Sequence, residues 1–166
     1  MTLHQRIGQG IDFHRLEDGH ELWLGGVHIA SPKGCVAHSD GDVLIHAICD
    51  ALLGAAGLND IGTQFPDTSD EYKGIDSKIL LKRTADMISN KGYRIVNIDS
   101  TVCLEMPKLA PHINIMRRAM ADVVGISPDA ISIKATTTEK MGFTGRGEGV
   151  VAMAVCLIAD RIPDNF

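Results

Sequence analysis

The sequence predicts a single α+β domain in which helices pack on one face of a mixed β-sheet. The first observation is the length of 166 residues, which suits one domain around one core. The second is the alternation of strand-like and helix-like hydrophobic periodicity along the chain. The third is segment 149–159, whose small apolar residues would let a strand pack against helices on one side and another subunit on the other. We expect the domain to span 1–160, with a loosely held tail at 161–166.

The N-terminal part of the chain is predicted to form strands. Residues 5–15 alternate in polarity as a strand does, and Phe13 is expected to turn into the core. Two short apolar segments, 22–24 and 27–29, flank a glycine pair and predict a short strand pair. A turn at 31–34 then leads towards a helix.

The helix predicted over 38–54 combines an apolar stripe with a row of polar side chains. Ser39 is expected to cap its N-terminus. Asp42, His46 and Asp50 are spaced four apart and would project from the same side. A carboxylate, an imidazole and a second carboxylate beside a buried stripe predict a polar or metal-binding role.

The second half of the chain alternates helices and strands. Residues 57–74 lack periodicity and are expected to form a long loop. Helices are predicted over 76–91 and 111–125, because each begins with a capping residue or proline and closes at a glycine. Strands are predicted at 93–105 and 131–136.

Composition excludes some functions. The net charge is −5 and basic residues form no cluster, which argues against nucleic-acid binding. No apolar run approaches the length of a membrane span, and the N-terminus lacks the apolar core of a signal peptide, so a cytoplasmic location is expected. The four cysteines form no CxxC pair and are interpreted as reduced, buried thiols.

Three residues predict a metal site. Asp12 and His14 are two apart in a strand, so both side chains lie on the same face. With His46 they would supply two nitrogens and one oxygen, leaving a fourth tetrahedral position for substrate, as in catalytic zinc sites. The alternative is a surface aspartate beside a hydrogen-bonded histidine, because the D-x-H spacing alone is a weak signal.

Other polar clusters suggest ligand contacts. His38 and Ser39 precede the helix and would offer donors to an anion near its N-terminus, although Ser39 would also serve simply as a cap. Segments 60–62 and 65–69 would bind hydroxyl groups, or else form plain turns. Glu139 would hold a hard cation such as magnesium together with substrate phosphates, unless it forms a solvated pair with the following lysine.

Several long motifs, in order, resemble one family: the 2-C-methyl-D-erythritol 2,4-cyclodiphosphate synthases of the non-mevalonate isoprenoid pathway. The motifs that carry the resemblance are R-I-G-x-G-x-D-x-H at 6–14, A-H-S-D-G-D-x-x-x-H-A at 37–47, D-A-L-L-G-A-A at 50–56, D-I-G-x-x-F-P-D-T at 60–68, P-K-L at 107–109 and K-A-T-T-T-E-K-x-G-F-T-G-R-G-E-G at 134–149.

The resemblance implies an assembly and a reaction. It implies a homotrimer with active sites between neighbouring subunits, zinc on Asp12, His14 and His46, and magnesium or manganese on Glu139 with the substrate's phosphates. The family's substrate is 4-diphosphocytidyl-2-C-methyl-D-erythritol 2-phosphate. Its 2-phosphate attacks the β-phosphate, which closes a cyclic diphosphate and releases CMP. A phosphate dianion needs no strong general base, and none is evident in the motifs.

The resemblance also implies roles for individual residues. His38 and Thr137 would stabilise the transition state. Substrate-binding residues would comprise the metal ligands of the first strand, the polar clusters, a cytidine pocket and a glycine-rich loop: Asp12, His14, His38, Ser39, Asp60, Ile61, Gly62, Phe65, Pro66, Asp67, Thr68, Ser69, Leu104, Glu105, Met106, Pro107, Lys108, Leu109, Ala110, Thr136, Thr137, Thr138, Glu139, Phe143 and Arg146. Phe143, Arg146 and Glu148 match residues around a trimer-axis cavity, where an isoprenoid diphosphate would bind.

Two other functions stay open at this point. A zinc phosphohydrolase on the same scaffold would use water as the nucleophile and release a linear diphosphate or free phosphate. A non-catalytic trimeric module would bind nucleotides or isoprenoid diphosphates without turnover.

Overall fold

A five-stranded mixed β-sheet forms the centre of the structure, a computed structural model that describes residues 4–161. Its strands, in spatial order, are β4 (Lys33–Cys35), β1 (Gln5–Asp18), β7 (Gly149–Asp160), β5 (Tyr93–Cys103) and β6 (Ile131–Thr136). Neighbours are antiparallel except for the parallel pair β5 and β6. A separate hairpin pairs β2 (Leu22–Leu24) with β3 (Val27–Ile29). The predicted mixed sheet is therefore confirmed. Of the predicted tail, only Arg161 falls within the described residues.

Three long helices cover one face of this sheet, as predicted. The three are α1 (Val43–Ala56), α3 (Ser77–Asn90) and α4 (Ile113–Val124). Two four-residue helices also form, α2 (Ile61–Gln64) and α5 (Gly142–Gly145). The innermost is α1, which packs against β1 and β7 and is buried almost all round. Within residues 4–161, no helix is both long enough and apolar enough to cross a membrane.

Two glycines of β1 allow α1 to approach the sheet closely. A Cβ added at Gly8 would lie 1.8 Å from the carbonyl oxygen of Ala51, and one added at Gly10 would lie 2.0 Å from that of Ala47. Any side chain at these positions would force the two backbones apart. The glycines therefore set the distance between β1 and α1, the two elements that carry the predicted metal ligands.

The other face of the sheet is exposed and apolar. Ile7 is 73% exposed and Phe13 is 54% exposed, and Ile11, Met153 and Val155 are also exposed. The expectation that Phe13 turns into the core is wrong. Alternation along β1 points Gly8, Gly10, Asp12 and His14 towards the helices, so the residues between them must face away.

The N-terminus of α1 also differs from the prediction. The cap is Asp42 rather than Ser39, because the Asp42 Oδ1 accepts the Ile45 N–H at 3.0 Å. The same carboxylate is fully buried and accepts the N–H groups of Gly25 at 2.9 Å and Gly26 at 2.7 Å, in the turn between β2 and β3. Burial raises the pKa of Asp42, although these three N–H donors oppose the shift.

The predicted row of Asp42, His46 and Asp50 is therefore not one site. Asp42 faces the β2–β3 turn, and Asp50 accepts the N–H of Ile61 at 2.7 Å and so fastens the start of α2. The segment expected as a long loop thus contains α2 and a short 3₁₀ turn, Asp70–Tyr72. All four cysteines lie within the described residues as free thiols, as predicted, with Cys103 only half-buried.

Candidate metal centre and its pocket

The side chains of Asp12, His14 and His46 converge where β1 meets α1. Asp12 Oδ2 lies 3.3 Å from His14 Nε2 and 3.2 Å from His46 Nδ1, and the two nitrogens are 3.1 Å apart. Ligands at about 2.05 Å from a tetrahedral ion are about 3.3 Å from one another. The three atoms are therefore already spaced as they would be around one cation.

The type of donor also fits a divalent metal. Two imidazole nitrogens and one carboxylate oxygen make a set typical of zinc and similar ions. All three side chains are half-buried, which leaves an open side for a further ligand. In the part of the chain that the structure describes, Glu139 does not belong to this cluster.

The surroundings of Asp12 and His14 lower the pKa of each, which favours the ionised carboxylate and the neutral ring that bind a cation. Burial alone would raise the pKa of Asp12, but the hydrogen bond from His46 and the charges of both imidazoles lower it below its ordinary value. Burial lowers the pKa of His14, which favours the neutral ring. Burial would also lower the pKa of His46, but the hydrogen bond and charge of Asp12 raise it. A metal ion would therefore compete with a proton mainly at His46.

A pocket of about 310 Å³ adjoins the cluster. Many of the residues predicted from separate motifs line it together: His14, His38, Ser39, His46, Ile61, Gly62, Phe65 and Asp67. Asp60, Pro66, Thr68 and Ser69 belong to the same segments but do not line it. The carboxylate of Asp60 instead caps α2, and the carbonyl of Ser69 lies 3.4 Å from His38 Nε2.

Sequence reasoning missed the apolar wall of this pocket. Ala37, Tyr72, Ile75 and Leu80 also line it, and Tyr72 packs edge-on against Phe65 with ring centroids 5.7 Å apart. Tyr72, an aromatic residue in a polar stretch of the sequence, was the one signal that could have indicated this wall. His38 and Ser39 line the pocket from the loop before α1, and the N-terminus of α1 itself is already occupied by the Asp42 carboxylate.

A second pocket, of about 330 Å³, lies at the end of β6. It unites most of the predicted cytidine-binding residues, Leu104, Pro107, Lys108, Leu109, Ala110, Thr136 and Thr137, together with Ala135, which was not predicted. Glu105 and Met106 instead line a neighbouring pocket, together with Arg146. Thr137 also donates to Glu139 Oε1 at 2.8 Å, and Thr138 Oγ1 contacts Thr144 Oγ1 at 2.8 Å.

The two pockets are separated across the sheet. Asp12 pairs with Ala152, Ala152 with Val102, and Val102 with Ala135. Three strand spacings, or about 14 Å, thus lie between the metal-ligand row and β6. A single chain does not bring Thr137 and Glu139 to the cluster of Asp12, His14 and His46.

The glycine-rich loop, residues 142–149, lies near β1. Phe143 packs beside Phe13 with ring centroids 6.2 Å apart, on the exposed side of the sheet. Arg146 donates to Glu148 at 2.8 Å. These residues, predicted around an axial cavity, are therefore not part of the first pocket.

The fold and this site define a class of protein: a single-domain α+β protein with a three-ligand metal-binding cluster beside a pocket. Comparison with known proteins makes the class specific. The sequence model described as the YgbB family matches residues 5–159. The chain belongs to this family.

Relatives and solved structures agree with that assignment. A protein of Bacteroides thetaiotaomicron named 2-C-methyl-D-erythritol 2,4-cyclodiphosphate synthase is 60% identical over 153 residues, covering 92% of this chain and 96% of that protein. The CDP complex of IspF from Plasmodium falciparum superposes with a TM-score of 0.83 at 34% identity, covering 95% of this chain and 97% of that one. The bifunctional IspDF from Campylobacter jejuni gives a TM-score of 0.93 at 39% identity over 96% of this chain, which spans 43% of that longer protein.

Proposed function

We propose that this YgbB-family protein is an enzyme with the activity of its curated relatives, a 2-C-methyl-D-erythritol 2,4-cyclodiphosphate synthase activity in isoprenoid biosynthesis. The substrate is 4-diphosphocytidyl-2-C-methyl-D-erythritol 2-phosphate. An oxygen of the 2-phosphate forms a bond to the β-phosphorus, the bond from that phosphorus to the CMP oxygen breaks, and CMP leaves. The observation that carries the proposal is the cluster of Asp12, His14 and His46 beside a pocket, in a chain so similar to enzymes of that name.

The residues present suit this chemistry. Asp12, His14 and His46 would hold zinc, and Glu139 would hold magnesium or manganese together with substrate phosphates. When bound, the cations would supply the Lewis acidity that offsets negative charge where one phosphate attacks another. The attacking phosphate is largely dianionic at neutral pH, so no side chain has to remove a proton from it.

The other side chains would position the substrate. His38 and Ser39 line the first pocket and would donate to phosphate oxygens, and His38 would stabilise the transition state. The apolar wall formed by Phe65, Ile75 and Leu80 would hold the methylerythritol part and exclude water. Water exclusion favours cyclisation over hydrolysis, which separates this proposal from the phosphohydrolase alternative.

The cytidine diphosphate part would bind in the second pocket. The relatives solved with CDP support a nucleotide-containing ligand. Thr137 would contact the diphosphate and stabilise the transition state, and Leu104–Ala110 would surround the base. Since one chain holds this pocket about 14 Å from the metal cluster, the two halves of the site would come from different copies of the chain.

A homotrimer would satisfy that requirement. Support comes from the exposed apolar face of the sheet, which includes Ile7, Phe13 and Val155 and is unusual for a surface left in water. Phe143, Arg146 and Glu148 would then surround the axis, where an isoprenoid diphosphate would bind. The domain limits of 1–160 and the cytoplasmic location stay predictions.

Product analysis tests the function. Metal-replete protein incubated with the substrate is expected to release CMP and to give the cyclic diphosphate signals in ³¹P NMR, and a chelator should stop the reaction. Substitution His46→Ala should reduce turnover by at least about a hundredfold, because it removes one of three metal ligands. His28→Ala, at the exposed position of β3, is the matched control and should leave turnover unchanged.

Two results would overturn the proposed activity, and a third would overturn the role of the metal cluster in it. A linear diphosphate or free phosphate as product would identify a hydrolase, and tight substrate binding without turnover would identify a binding module. Full activity in the His46→Ala protein would remove the metal cluster from the mechanism.

A further inference from the structure

The second ring nitrogen of His46 faces away from the metal cluster. Its Nε2 lies 3.0 Å from Ser77 Oγ and 3.3 Å from Ser39 Oγ. Ser77 is fully buried at the first position of α3, so its hydroxyl has no access to water. The contact therefore lies in the protein interior, on the side of the ring opposite the cluster-facing Nδ1.

Hydrogen-bond direction fixes which atom donates in this contact. Ser77 Oγ donates its single proton to Asp40 Oδ1. The Asp40 carboxylate also accepts the backbone N–H of Ser77 at 2.8 Å and that of Asp42 at 3.1 Å, which holds it as an acceptor. The hydroxyl oxygen of Ser77 can then only accept from His46. The Ser77 contact therefore favours a proton on Nε2, and in the neutral ring that tautomer leaves the lone pair of Nδ1 directed at the cluster.

This arrangement opposes another interaction of the same ring. Asp12 Oδ2 lies 3.2 Å from His46 Nδ1, and in the metal-free protein a carboxylate at that distance attracts a proton to Nδ1. A proton on Nδ1 would occupy the position that a metal ion needs. Which nitrogen carries the proton thus depends on the balance between Asp12 on one side and the Ser77–Asp40 pair on the other.

We propose that Asp40 and Ser77 are positioning residues that hold the His46 proton on Nε2 and so keep Nδ1 available to bind the metal ion. The inference rests on the metal centre of the proposed function and adds two residues to it. Ser77 contacts only the nitrogen of His46 that faces away from the metal position, and Asp40 acts through Ser77. The link also joins the loop before α1 to the start of α3, and therefore fixes the orientation of the ring as well as its proton.

Metal affinity provides the first test. Zinc affinity is measured at pH 8 by competition with a chromophoric chelator. Ser77→Ala and Asp40→Asn are each expected to weaken zinc binding by about 10-fold to 100-fold, the usual effect of removing such an outer contact. Ser77→Thr keeps the hydroxyl and should recover most of the affinity. Asp76→Asn, which alters the N-cap of the same helix without contacting His46, should bind zinc like the unchanged protein.

The tautomer provides a second test that a merely structural role would not affect. Long-range ¹H–¹⁵N spectra of the metal-free protein at pH 9 should show His46 protonated on Nε2. In the Ser77→Ala protein the proton should move to Nδ1, towards Asp12. The spectrum reports on folded protein directly, so a loss of zinc affinity through misfolding would be recognised.

The outcomes separate this inference from the proposed function. If the unchanged protein binds no zinc at the cluster, the metal centre itself is wrong. If it binds zinc while Ser77→Ala and Asp40→Asn bind zinc equally well, only the positioning role is overturned. A proton on Nδ1 of His46 in the unchanged protein would also overturn it.

Discussion

The side chain of Asp42 accepts hydrogen bonds from three backbone N–H groups that belong to two parts of the chain. Its buried carboxylate caps α1 and also satisfies the N–H groups of Gly25 and Gly26. Both glycines have positive φ, 59° and 75°, so the turn that presents their N–H groups to Asp42 is one that glycine adopts readily. The residue therefore joins the β2–β3 hairpin to the helix that carries His46.

Removing this carboxylate should be costly. Asp42→Ala is expected to lower the free energy of unfolding by about 3 kcal/mol, because it removes a helix cap and leaves the buried N–H of Gly25 and the partly buried N–H of Gly26 without their acceptor. Asp76→Ala removes only the half-exposed cap of α3 and should cost about 1 kcal/mol. Urea denaturation of the metal-free proteins measures both values. Equal losses in the two variants would contradict the role given to Asp42.

The same residue shows what the sequence could predict at this scale. Ser39 and Asp42 are both good capping residues three positions apart, and local spacing does not decide between them. The choice depends on two glycines 16 and 17 positions away. Asp12, His14 and His46 were predictable as one group because strand alternation and family motifs placed them together. Ser77 lies outside every motif, and the motif that contains Asp40 gave no sign of its contact with Ser77.

At the scale of elements, the close packing of β1 against α1 decides whether the metal ligands meet. Asp12 and His14 belong to β1, and His46 belongs to α1. Gly10 allows the two backbones to approach, because a Cβ there would lie 2.0 Å from the Ala47 carbonyl oxygen. The geometry of the cluster therefore depends on a position that has no side chain.

Substitution Gly10→Ala should affect both stability and metal binding. The added methyl group would push α1 away from β1, at a cost of about 3 kcal/mol, and would separate His46 from Asp12. Gly54→Ala is the matched control, since the Cβ at this helical position meets nothing within 4 Å and should stabilise α1 by up to about 1 kcal/mol. Thermal unfolding and zinc titration measure the two effects. Unchanged zinc affinity in the Gly10→Ala protein would show that the spacing is not critical.

The order and type of the elements were largely predictable from periodicity. Which face of β1 points towards the helices was not. Phe13 was expected in the core because it lies between Asp12 and His14, which share the opposite face of the strand. The glycines on alternate positions decide the orientation instead, because only they fit beneath α1. The close approach of the α1 backbone leaves no space for a large side chain on this face of β1, so Phe13 lies on the other face.

At the scale of the whole molecule, one chain contains two halves of a proposed site that do not meet. The metal cluster lies on β1 and α1, and the second pocket lies at the end of β6. Periodicity and motifs predicted the residues of each half but not their separation, since strand order depends on long-range pairing. The exposed apolar face of the sheet is the surface on which copies would pack.

A charge on that face should prevent assembly. Val155→Asp places a carboxylate at a position of β7 that is 46% exposed in one chain. We expect this protein to remain folded but to change from a trimer of about 54 kDa, three times the chain mass of 17.9 kDa, to a monomer with little turnover. Ile79→Asp, at a 45% exposed position of α3, should still assemble. Light scattering and activity are measured together, and an active monomer would contradict the shared site.

The central claim is that Asp12, His14 and His46 bind one divalent cation with a coordination position left for substrate. The most direct measurement is anomalous X-ray diffraction from crystals of the zinc-loaded protein. The account predicts a single strong zinc peak at about 2.0–2.2 Å from Asp12 Oδ2, His14 Nε2 and His46 Nδ1, with the fourth position facing the first pocket. A zinc ion bound elsewhere, or held by fewer than these three side chains, would contradict it.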